Sequence, residues 1–194
     1  NVNSVYAQMT RGKFERIIGM ALSSLASTLA KMSMDVCLYA GADYYFWEID
    51  KAYTTGSSIM PHKHNPDGFE LIRAKCNQIQ SMPLEMTFVM GNLPSGYHRD
   101  LQVIKEKFVN GLTSMQECLG IFSAMVKTLS VRRGLIDSDK YDLLFTVEEV
   151  NRLVIAGVPF RDAYKQVGEQ VKTNAYRPDK TISHTHIGSV GNLG

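Results

Sequence analysis

The chain has 194 residues, enough for one domain or two small ones with a sizeable core. Its 21 basic and 19 acidic residues leave a net charge of +2, which argues against a nucleic-acid or anionic-surface binder, and 44% hydrophobic content is ordinary for a soluble globular protein. The three cysteines, Cys37, Cys76 and Cys118, are odd in number and set in apolar helical patterns, so core packing in a reducing compartment is expected rather than a disulfide framework. No run of about 18 apolar residues suggests a membrane span, and no charged-then-apolar leader opens the chain. A cytoplasmic location is expected, and the start at Asn1 without methionine reads as a piece of something longer.

Taken in order, the first periodic stretch is Ile18, Leu22, Leu25, Leu29, Met32, Val36 and Tyr39, in alternating steps of four and three. This predicts a long helix with a coiled-coil-like seam. Small residues between the seam positions, Ala21, Ser23, Ser24, Ala26, Ser27, Ala30 and Ser33, would let neighbouring helices close in on more than one face, as in a central bundle helix. Tyr44, Tyr45, Phe46 and Trp47 then read as wall packing before a Gly-Ser loop, residues 56–66. That loop runs into a helix, with Asn65 expected as its side-chain cap, Pro66 at its first position, and Asp67 and Glu70 in its first turn. A loop lysine, Lys63, beside unpaired helix N–H groups makes a plausible anion site.

The helix from Pro66 carries Phe69, Ile72, Cys76 and Ile79, and Pro83 predicts a kink or break near 81–82. Gly91 to Gly96 is a stop. Leu101, Ile104, Phe108, Leu112, Met115, Leu119, Phe122, Val126 and Leu129 predict a further helix of about eight turns, antiparallel to its predecessor. Beyond Arg133 the pieces shorten. Thr146 to Glu149 has the form of a capping box, Gly157 closes that helix, Pro159 opens another, and the stretch from Thr173 reads as an extended or mobile tail. The expected fold is all-α: part of a helical-bundle domain over 1–132, then a small helical C-terminal domain over 133–194.

Gly56-Ser57-Ser58-x-Met60-Pro61-x-Lys63-x-Asn65, followed by Glu70, resembles the signature of the fumarase/aspartase superfamily, whose members release fumarate from succinyl-type substrates. Tyr97, Gln102 and Lys105, at intervals of five and three, resemble the argininosuccinate lyase family. So do Tyr53 to Gly56, Glu70 to Arg73, Gly157 to Arg161, and His186 to Leu193. The likeness departs at His62, His64, His98 and Arg99. His62-Lys63 is also similar to adenylosuccinate lyases, which are kept as the alternative.

The resemblance implies a catalytic base at Ser57 and substrate contacts from Ser58, Lys63, Asn65, Tyr97, Gln102 and Lys105. A serine hydroxyl is a poor base, so Ser57 would act only where its alkoxide is stabilised. The substrate implied is argininosuccinate, cleaved to arginine and fumarate in a homotetramer with active sites shared between subunits. No cofactor is implied, no metal is expected at His184 and His186, and neither nucleic acid nor membrane is an expected partner. Nothing in these residues matches the family's acid-side regions, including a Thr-His pair, so a C-terminal portion inactive by itself is expected. A catalytically silent, crystallin-like helix bundle is the competing reading.

Overall fold

The computed structural model describes residues 3–182 and 184–194; Ser183, in the expected tail, lies outside them. The chain divides into two compact units, 1–132 and 133–194.

The first unit is a bundle of long helices. A short α1, Ser4–Met9, is capped by Asn3, whose side chain accepts the N–H groups of Val5 and Tyr6 at 2.9 and 3.2 Å. The long α2, Lys13–Tyr39, follows. Its buried face is lined by Gly19, Ala26, Leu29, Ala30, Ser33 and Val36. The expected seam therefore splits: Leu29 and Val36 are buried, whereas Ile18, Leu25 and Met32 are more than 40% exposed. The physical reason is size. Small side chains let the next helix approach most closely on their own face, and the seam falls along its edge. By length and composition alone α2 is long and apolar enough to cross a membrane, which the absence of an unbroken apolar run did not suggest; its buried face packs into the helical core.

Helices α3, Asp67–Gln80, and α4, Met82–Met90, are parted at Ser81, where the sequence predicts a break. The Ser81 hydroxyl donates to the Gln78 carbonyl at 2.8 Å, and Pro83 stands in the first turn of α4, where its missing N–H costs no helical bond. Helix α5 spans Val103–Val126. It is shorter than predicted at both ends, because Leu101 and Gln102 belong to a preceding 3-10 turn, Arg99–Gln102, and the Thr128 hydroxyl closes the far end on the Met125 carbonyl.

Contacts fix the helix directions. Along α2, Gly12 faces Met90, Gly19 faces Met86 and Met82, and Ser23 bonds to the Gln80 carbonyl, so α2 runs antiparallel to α3 and α4. Gly68 faces Met125, Lys75 pairs with Glu117 and Lys107 with Glu85, so α5 is antiparallel to α3 and α4 as well. The core between them holds Phe69, edge to face with Phe122 at 5.8 Å, and the buried Cys76 and Cys118. Cys37 is half-buried, and all three cysteines are free.

Among the described residues, four two-residue strands decorate the bundle. β1, Trp47–Glu48, pairs antiparallel with β4, Ser130–Val131. β2, Thr55–Gly56, pairs antiparallel with β3, His64–Asn65. The aromatic run packs as a wall on Tyr39, with Tyr44, Phe46 and Trp47 rings at 5.6 to 5.7 Å, and Arg132 lies 4.0 Å over Tyr45.

The second unit holds two 3-10 turns, Leu135–Asp137 and Asp139–Phe145, then α6, Thr146–Ile155, and α7, Phe160–Lys172. Val150, Ala163, Val167 and Tyr176 form its core. The predicted capping box is not formed. Thr146 is already helical and donates to the Leu143 carbonyl, while Glu149 pairs with Arg152 at 2.6 Å instead. The preceding 3-10 turn supplies the entry to α6, so no side-chain cap is used there. Gly157, at φ +96°, ends α6, and Pro159 sits at the cap position of α7. The tail is tied down by Lys180, which donates to the carbonyls of Ile136, Asp137 and Ser138 and pairs with Asp142. His184 lies 3.0 Å from Glu148.

Candidate active site

The Gly-Ser loop is a hairpin excursion. Pairing of Thr55 with Asn65 and Gly56 with His64 brings its two ends together, leaving residues 57–63 as the connection. Asn65 is thereby a strand residue and not the helix cap expected from sequence, and Pro66, not Asn65, holds the cap position of α3 without a side-chain bond. Ladder pairing needs an extended backbone at Asn65, and Pro66 reinforces it by disfavouring the helical region for the residue before it.

Within the loop the Ser57 oxygen accepts two backbone N–H groups, from Ile59 at 3.2 Å and Met60 at 3.0 Å. The Lys63 N–H returns to the Met60 carbonyl at 3.0 Å. Ser57 is half-buried, whereas Ser58 and Lys63 are exposed. A hydroxyl oxygen that receives two amide protons sits where negative charge is favoured, since each donor stabilises the deprotonated form more than the neutral one. Gly56 has open space where a side chain would be.

The second group of predicted residues lies at the start of α5. Gln102 Nε2 donates to the Tyr97 hydroxyl at 3.2 Å, and the Arg11 guanidinium lies 4.7 Å from the Tyr97 ring centre. Tyr97, Gln102 and Lys105 are all exposed, with Gln102 in the 3-10 turn and Lys105 in the first turn of α5. Among the described residues, no hydrogen bond or ion pair joins this group to the Ser57 loop. Arg11 had no signal in the sequence, because its partner lies far along the chain. Neither did the side-chain bond from the Thr55 hydroxyl to the Asp67 carboxylate, which crosses the base of the hairpin.

Among the described residues no His, Cys, Asp and Glu cluster offers a metal site. The His184 and His186 rings meet edge-on at 5.6 Å in the second unit, and His184 is taken up by Glu148.

A lyase family model matches residues 4–81. The chain is 50% identical to argininosuccinate lyase of Parabacteroides distasonis over 98% of its own length and 43% of that protein's. To argininosuccinate lyase of Bacteroides fragilis it is 49% identical, over 100% of its length and 43% of the relative's. It thus spans less than half the length of these curated relatives. In fold it is similar to the class II fumarase of Schistosoma mansoni, with a TM-score of 0.69 and 19% identity over 82% of this chain and 33% of that one. Half of all positions are thus shared across essentially every residue, on a fumarase-like bundle: over its whole length the chain is similar to a stretch of the argininosuccinate lyases.

Proposed function

We propose that this stretch supplies the fumarate-forming side of an argininosuccinate lyase active site. The observation that carries the reading is the pair of amide donors on the Ser57 oxygen. In the reaction, the Ser57 alkoxide removes a proton from the carbon beside a substrate carboxylate. Electron density builds on that carboxylate, then returns to form the fumarate double bond as the bond from carbon to the guanidino nitrogen breaks. Arginine leaves once its nitrogen has taken up a proton, which residues outside this stretch provide. Ser58, Lys63 and Asn65 hold the carboxylate, and Lys63 contributes most where the extra charge appears, so its effect falls on turnover more than on binding. Tyr97, Gln102 and Lys105 bind the same substrate.

The long helices suit assembly. Ile18, Leu25 and Met32 form an exposed stripe seven residues apart along α2, and such a stripe is covered when helices of several subunits meet. We read the working protein as a cytoplasmic homotetramer with shared sites, of which this stretch is the C-terminal portion, and expect the stretch alone to be inactive.

The test is a chimera in which these residues replace the matching 43% of the Bacteroides fragilis enzyme. It is offered argininosuccinate and, separately, adenylosuccinate, and fumarate is measured. Turnover of argininosuccinate alone, lost on Ser57→Ala with substrate binding retained, is the expected result. Turnover of adenylosuccinate alone would reassign the substrate. An active Ser57→Ala chimera would remove the serine from its role.

A further inference from the structure

We infer that Asp67 and Thr55 are positioning residues for the Ser57 loop, acting as a side-chain clip that transmits the rigidity of the helical core to the hairpin; this rests on the catalytic reading of that loop. The Thr55 hydroxyl donates to the Asp67 carboxylate, linking β2 to the first turn of α3. Thr55 is two residues before Ser57, and its ladder partner Asn65 is two residues before Asp67, so the clip lies beside the one place where the loop's two ends meet.

The helix end of the clip is firmly held. A Cβ at Gly68 would come within 2.5 Å of Met125 Cε and 2.8 Å of its sulfur, and Met125 is buried. Phe69, the next residue, is fully buried against Phe122. The first turn of α3 is therefore pinned to α5 at two successive residues. The loop end is not: a side chain at Gly56 would meet open space, Thr55 is exposed, and the ladder is only two residues long. A two-residue ladder is marginal by itself. A hydrogen bond to a carboxylate is roughly twice as strong as one between neutral groups, and here it joins the weakly held strand to the strongly held helix.

A plainer role for Asp67 is to complement the positive end of α3, where Glu70 also stands. That role needs no hydroxyl at residue 55. The substitution Thr55→Val, which keeps shape and removes only the hydroxyl, separates the two, and Thr55→Ser restores the hydroxyl.

The experiment is limited trypsin digestion of the 194-residue chain, following cleavage after Lys63 by mass spectrometry. Lys63 lies within the loop, so under conditions where opening is fast its cleavage reports the population of the open hairpin. Thr55→Val and Asp67→Ala are each expected to speed this cleavage about tenfold, the pair together no more than either alone, and Thr55→Ser is expected to match the unaltered chain. Cleavage unchanged in Thr55→Val overturns the clip and leaves Asp67 as a helix-dipole residue. In the chimera described above, Thr55→Val is expected to lower kcat for argininosuccinate with KM little changed, and Thr55→Ser to recover it. A faster-opening loop with kcat untouched upholds the clip and overturns the catalytic reading of the loop, so the two failures are distinguishable.

Discussion

Ser57 and Lys63 occupy one short loop yet have different surroundings, and the difference sets what each substitution should do. Ser57 accepts amide donors of its own loop, so Ser57→Ala removes the base together with the acceptor for the Ile59 and Met60 N–H groups; a loss of about 10²- to 10⁴-fold in kcat is expected of the chimera. Lys63→Met removes a mobile, exposed charge, and a fall of about 10²- to 10³-fold in kcat with a smaller change in KM is the expected outcome of steady-state assays. Cys76 behaves as core. Burial, with the nearby Cys118 adding to it, pushes its thiol from 9.0 up to about 12. Below about pH 9 the thiol is protonated whether the chain is folded or not. Above that the unfolded chain loses the proton while the folded one keeps it, so stability should fall as the pH rises from about 9 toward 12. Urea midpoints measured across that window should decline less steeply in Cys76→Ala.

At the scale of elements, the sequence made helix identity and direction legible and misjudged the ends. The 3.6-residue period gave α2, α3 and α5, and Pro83 gave the break at Ser81, because these signals depend on the burial of a face and on the geometry of one ring. The cap expected at Asn65 failed because a strand pairing between residues 55 and 65 outweighed a local preference, and such pairings leave little trace in two-residue strands. The same holds for Thr146, where a 3-10 turn took over the entry to α6. The signature motif was readable as a string. Its hairpin shape, the two hydrogen bonds accepted by Ser57, and the contact of Arg11 with Tyr97 were not, since each depends on which groups folding brings together. The core between α3 and α5 lets one residue test these joints. Phe69→Ala deletes a fully buried ring from it, and a loss of about 3–5 kcal/mol is expected in urea unfolding of the 194-residue chain.

For the whole molecule, two units with separate apolar cores are joined in one chain, and each buries what it needs from its own helices. The first unit leaves more apolar surface uncovered than its own fold requires: besides Ile18, Leu25 and Met32 on α2, Leu112, Leu119 and Val126 stand at intervals of seven along α5. Stripes of this kind on two helices are expected to drive self-association of the stretch even without the rest of the protein. Leu25→Lys with Met32→Lys should shift sedimentation toward the monomer, while circular dichroism keeps its helical signal, because both side chains lie off the buried face of α2.

The close approaches inside this bundle share a chemical feature. Gly12, Gly19, Gly68 and Gly111 each lie against a methionine thioether, from Met90, Met86 with Met82, Met125 and Met82 respectively. A glycine gives the sulfur room to lie flat but offers no side-chain donor, so a sulfoxide oxygen formed there would find neither space nor a side-chain partner. Oxidant exposure thus acts on this bundle as a wedge at its tightest crossings. Met82, which serves two glycines on two different helices, is the position where a single added oxygen would part the most structure.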